Sequence, residues 1–153
     1  MQKLVLFISF LVLLFIGCSK DKFQTTPSIK IKSIRPTEVP NNAPLVIDLE
    51  FTDKQGDLDS IFITKTRINQ KQVTTQFDLL SYGIPEFPAK TKGEIQLTID
   101  YNLALISAQT PPDQTGAPNG KEPDSLVMKI VLKDKAKNVS DTLTTGTIVV
   151  ERF

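Results

Sequence analysis

Apolar residues at every second position set the first limit on what this chain can fold into. Ile47, Leu49 and Phe51 alternate with Asp48 and Glu50, and Ile95, Leu97 and Ile99 alternate with Gln96 and Thr98. Successive side chains of a strand point to opposite faces, so each run predicts a β-strand with one dry and one wet face. Ile29 and Ile31 against Lys30 and Lys32 give a third strand, Ile61 and Ile63 a fourth, and Val73, Thr75, Phe77 and Leu79 a fifth. Leu126, Met128, Ile130 and Leu132 oppose Lys129 and Lys133 in a sixth, and a last strand runs from Leu143 to Val150. No segment carries a capped 3.6-residue period, although Tyr101 to Ala108 could form one or two helical turns. About seven short strands separated by turn-rich stretches predict an all-β, antiparallel sandwich.

The connections carry turn chemistry. Pro36 to Pro44 holds three prolines and two asparagines, which suits a bend between the first two strands. Gly83 to Lys92, with Pro85 and Pro88, cannot be a central strand because proline has no N–H for the ladder. Ser107 to Asp124 holds four prolines and two glycines and is too long for an ordinary hairpin; loops of that size are commonly functional or disordered, and its composition favours disorder. The single cysteine leaves no intramolecular disulfide, so the fold must stand on its apolar core.

That cysteine ends a distinct segment. A short positive start (Met1, Gln2, Lys3) precedes an almost wholly apolar run from Leu4 to Ile16, then Gly17 and Cys18. The run is shorter than the roughly 20 residues a spanning helix needs, so it reads as a processing signal. Leu14-Phe15-Ile16-Gly17-Cys18 resembles the lipobox of bacterial lipoproteins, departing only at Phe15, where an aliphatic residue is usual. The resemblance implies cleavage before Cys18 and lipidation of Cys18, a membrane anchor of more than one acyl chain. Ser19-Lys20-Asp21-Lys22 is similar to the charged export signal of Bacteroidota lipoproteins sent to the outer face of the outer membrane. Asp21 lacks the adjacent acid usual there, so a periplasmic-facing position stays open.

The implied division is a signal peptide over 1–17, a lipidated tether over 18–27 and a sandwich domain over 28–153. Removing residues 1–17 from the 153-residue chain leaves 136, enough for one domain with its own core. Lysine and arginine total 18 against 17 acids, and loss of Lys3 brings the formal charge to zero. Such a balance gives no electrostatic case for nucleic acid.

Two acidic turns stand out. Asp53-Lys54-Gln55-Gly56-Asp57-Leu58-Asp59 resembles the "D-x-x-G-D-L" turn of immunoglobulin-like domains in Bacteroidota surface lipoproteins. Asp134-Lys135-Ala136-Lys137-Asn138-Val139-Ser140 similarly resembles the "D-x-A-G-N-x-S" turn before the final strand of bacterial immunoglobulin-like repeats. It departs at Lys137, where glycine is usual, so Lys137 must take a positive φ or the turn must differ. Together they imply an immunoglobulin-like β-sandwich. If every connection reverses direction, both turns fall at one pole, which brings Asp53, Asp57 and Asp134 together. Hard cations take six to eight oxygen ligands, so Asp53, Asp57, Asp59, Asp134 and Asn138 are candidates for a calcium site. The same residues also suit Asx-type turns that merely cap backbone amides.

Catalysis has little support in the sequence. The chain has no histidine, which excludes a Ser-His-Asp or Cys-His arrangement, and it has no phosphate-cradling glycine loop. It has no tryptophan either; Tyr82 and Phe87, around Pro85, are the candidate ligand contacts, with core packing the plainer role. The expected function is a non-catalytic lipoprotein of the outer membrane, a binding or structural module with a protein or glycan partner. The alternative is a carbohydrate-binding accessory lipoprotein of an uptake system.

Overall fold

In the computed structural model, which describes residues 25–71 and 77–153, the alternating runs become strands of two sheets. In chain order the strands are β1 (Ser28–Arg35), β2 (Glu38–Val39), β3 (Leu45–Thr52), β4 (Leu58–Arg67), β5 (Phe77–Gly83), β6 (Lys92–Ile99), β7 (Asp124–Asp134), β8 (Leu143–Thr144) and β9 (Ile148–Val150). One sheet has the order β1-β3-β6; the other runs β2-β9-β7-β4-β5, with β8 also on β7. All pairings are antiparallel except the short parallel contact of β2 with β9. The result is an all-β sandwich, as the alternation predicts.

The core lies between the inner faces. Leu45, Ile47, Leu49 and Phe51 of β3 and Leu97 and Ile99 of β6 meet Ile61 and Ile63 of β4 and Leu126, Met128, Ile130 and Leu132 of β7. Burying a side chain of this size stabilises by about 1.5–3 kcal/mol relative to exposure. Two bulges adjust the alternation. One in β1 between Ile31 and Ser33 lets Ile34 rejoin the face used by Ile29 and Ile31. One in β4 between Leu58 and Ser60 buries Ser60 and Ile61 in succession.

Three expectations are corrected. The fifth strand is β5 over Phe77–Gly83 rather than Val73 to Leu79, and Val73 and Thr75 lie outside the described residues. Its parity is also reversed: Leu79 is 65 % exposed, while Leu80 and Tyr82 pack on the core opposite Ile63 and Ile61. The last strand is two short ones, because Thr145 turns in to exchange hydrogen bonds with Met128, its N–H to Met128 O at 2.9 Å and Met128 N–H to its Oγ1 at 3.0 Å. The Ser107 to Asp124 segment is ordered. Its tip closes through Gln114 N–H to Gly120 O at 2.8 Å, and Arg152 holds its start by donating to Ser107 O at 3.0 Å and Gln109 O at 2.8 Å.

After β6 the anticipated helical turn is a five-residue π-helix, Tyr101–Leu105, capped by Asp100, whose side chain accepts from Leu103 N–H at 2.8 Å. Tyr101, Ala104 and Leu105 plug that end of the core. No helix among the described residues is long and apolar enough to cross a membrane.

Candidate functional site

The two acidic turns meet at one pole of the sandwich. Past β3, Asp53 Oδ2 accepts the Asp57 N–H at 2.9 Å and winds the chain into a tight turn before β4. Gly56 completes it at φ +68°, and a Cβ there would lie 2.7 Å from Lys90 N, so glycine is required on both counts. Asp53 N–H donates to Thr91 O at 2.9 Å, fastening the turn to the loop before β6.

Past β7, Asp134 organises the second turn. Its Oδ1 accepts Asn138 N–H and its Oδ2 accepts Asn138 Nδ2, both at 2.7 Å. Lys137 takes the left-handed conformation at φ 70°, the first of the two outcomes its departure from glycine leaves open. Lys135 N–H then donates to Asp57 O at 3.0 Å and ties the two turns together.

Asp53, Asp57 and Asp134 converge: one carboxylate oxygen from each lies within 4.8 Å of the others. Asp53 is 2 % exposed and Asp134 0 %. At such separations each pair of unit charges repels by about 3 kcal/mol at an effective dielectric of about 20. Burial pushes the Asp57 carboxyl above the usual carboxylate range, and the charges of Asp53 and Asp134 push it further the same way. Asp53 Oδ1 and Asp57 Oδ1 are buried without a hydrogen-bond partner. Three converging acids, two of them with an orphaned oxygen, can accept a proton or a cation.

The other predicted residues fall around this triad. Asp59 stands apart, accepting from Ser60 Oγ at 2.9 Å with Lys133 Nζ at 3.6 Å. Asn138 spends its backbone and side-chain donors on Asp134 and so orients that carboxylate. Tyr82 and Phe87 line adjoining shallow clefts that share Ile84, Pro85 and Ile95, on the side where β5 and β6 are sheet edges. Phe87 packs on Phe51 at 6.1 Å between ring centroids, tilted by 60°. Burial pushes the Tyr82 phenol up. Cys18 lies outside the described residues.

Sequence reasoning missed a buried charge cluster at the opposite pole. Asp124, 0 % exposed, contacts Arg67 and, at 2.5 Å, Arg152 Nη1, and accepts from Asn69 Nδ2 at 3.3 Å. Burial pushes the Asp124 carboxyl up, but the hydrogen bonds and charges of Arg67 and Arg152 prevail and hold it below the usual range. The signal was parity: Lys65 and Arg67 continue the inward positions of Ile61 and Ile63, and Asp124 continues those of Leu126 and Met128.

Neither a protein-family model nor a curated protein matches the chain. Among solved structures it is similar to a β-glucosidase from Kluyveromyces marxianus in complex with glucose (12 % identity, TM-score 0.44), covering 84 % of this chain and 14 % of the enzyme. It is also similar to a sporulation control protein from Bacillus subtilis (11 % identity, TM-score 0.40), covering 84 % of this chain and 50 % of that one. A β-glucosidase from Listeria innocua in complex with gluconolactone aligns at 10 % identity and TM-score 0.40, over 83 % of this chain and 16 % of the enzyme. The chain thus spans between about one seventh and one half of these proteins, and likeness at this level carries no function.

Proposed function

We propose that this chain is a lipid-anchored, non-catalytic module of the cell envelope, held at the outer membrane through Cys18. The observation that carries the orientation is the pairing of Ser28 with Thr52, whose next neighbour is Asp53. The domain therefore starts at the acidic pole. From Cys18 to Ser28 is about ten residues, at most about 35 Å of extended chain. A lipid on Cys18 holds the acidic pole towards the membrane and turns the other pole, with the Ser107 to Asp124 loop and the Thr37 to Ala43 turn, towards partners.

Protease treatment of intact cells tests the orientation. Cleavage inside Ser107 to Asp124, with Asp53 to Asp59 protected, is the expected result for a surface-exposed chain. Cleavage at Asp53 to Asp59 with the other loop protected would reverse the orientation, and protection of both until the outer membrane is opened would place the domain on the periplasmic side. The glycan reading rests on Tyr82 and Phe87 in their adjoining clefts; glycan-array binding lost on Tyr82→Ala or Phe87→Ala would support it over a protein partner.

A further inference from the structure

We propose that Asp53, Asp57 and Asp134 form a binding site for a hard divalent cation of the calcium class. The convergence of three carboxylates would not by itself make a site. What points to a ligand is Asp53, whose side chain is buried with the residue 2 % exposed, and whose Oδ1 receives no hydrogen bond. Asp57 Oδ1 is likewise buried and unpartnered. Buried carboxylate oxygens are normally satisfied, so two orphans in one cluster mark positions where a positive partner belongs.

The fold shows how it treats a buried acid when a protein cation is meant to neutralise it. Asp124 is met by two arginines at the opposite pole. At the acidic pole Lys133 Nζ is directed towards Asp59 at 3.6 Å and Lys135 Nζ to Glu86 at 3.3 Å. The donor set is oxygen only, and the chain has no histidine, which favours calcium or magnesium over zinc or copper. Calcium tolerates irregular shells and takes six to eight oxygens, whereas magnesium demands a near-ideal octahedron. A shallow cleft whose lining includes Gln55, Gly56, Asp57, Asp59, Glu86 and Lys135 opens beside Asp57, giving solvent a route for ion exchange and for water ligands. The inference is independent of lipid anchoring.

The test uses the full chain purified in detergent, stripped with a chelator and then titrated with calcium chloride, followed by calorimetry and thermal unfolding. Saturable heat and a rise in Tm of about 5 °C at millimolar calcium are expected, with a weaker response to magnesium. Asp57→Asn keeps the turn hydrogen bond, which uses the Asp57 backbone, and should match or exceed the wild-type Tm in chelator while losing the calcium response. Asp59→Asn should retain the response. No heat and an unchanged Tm for the wild type overturn the proposal, as does a calcium response that survives Asp57→Asn undiminished.

Discussion

Asp124 and Asp134 occupy the two ends of the same inward face of β7, with Leu126, Met128, Ile130 and Leu132 between them. Ten residues of strand put them about 33 Å apart. Both are fully buried, yet the fold answers them in opposite ways: Asp124 faces Arg67 and Arg152, while Asp134 faces Asp53 and Asp57. One pole is neutralised from within the chain. The other concentrates negative charge.

Arg152 is therefore a pin for the far pole. It reaches Asp124 and the carbonyls of Ser107 and Gln109, joining the end of β9 to the long loop. Arg152→Ala leaves buried acceptors and should destabilise the fold by about 3–5 kcal/mol in urea unfolding. Proteolysis within Ser107 to Asp124 should quicken as well. A loss under about 1 kcal/mol would show that the cluster contributes little.

The depressed Asp124 carboxyl has a definite consequence in acid. A carboxyl whose folded pKa lies below its unfolded value of about 3.9 contributes stability that is fully present above that unfolded value and is lost as pH falls through the folded one. The far-pole contribution should hold from neutral pH down to about 4 and disappear below it. Carboxyl NMR titration checks the cause: the Asp124 midpoint should fall below about 3.9, and a midpoint at or above it contradicts the pairing.

The turn residues separate two kinds of constraint. Gly56→Ala meets both a positive φ and the Lys90 backbone, whereas Gly116, at φ +88°, has open space around a new Cβ. Gly56→Ala should cost roughly 2 kcal/mol or more, and Gly116→Ala closer to about 1. Lys137→Gly should stabilise by about 1 kcal/mol, since it relieves a lysine held at φ 70°. Equal losses for the two glycine variants would show that the Lys90 contact is easily relaxed.

Alternation made most strands legible, and strand parity alone brings Asp53, Asp57 and Asp134 to one pole. At Lys137 the sequence left two outcomes, a positive φ or a different turn, and the chain takes the first. β5 was not legible. Leu79 and Leu80 are adjacent, so either parity buries one leucine, and a one-residue slip exchanges the two faces of a strand. Asp78 held the missing register, since it pairs with Lys65, the buried lysine at 2.9 Å. The Arg67, Asp124 and Arg152 cluster stayed hidden because charged residues at inward positions look, in sequence, like the end of a strand. Order in the proline-rich loop depends on that same cluster, so composition alone pointed the wrong way.

Lipid anchoring through Cys18 is the claim on which location and orientation both rest. Intact mass spectrometry of the chain recovered from the membrane fraction of its native host tests it most directly. The chain is expected to begin at Cys18 and to carry the added mass of acyl chains, and Cys18→Ala is expected to shift it to the soluble fraction. A membrane-bound chain retaining residues 1–17, or a soluble one cleaved with Cys18 unmodified, would contradict lipid anchoring.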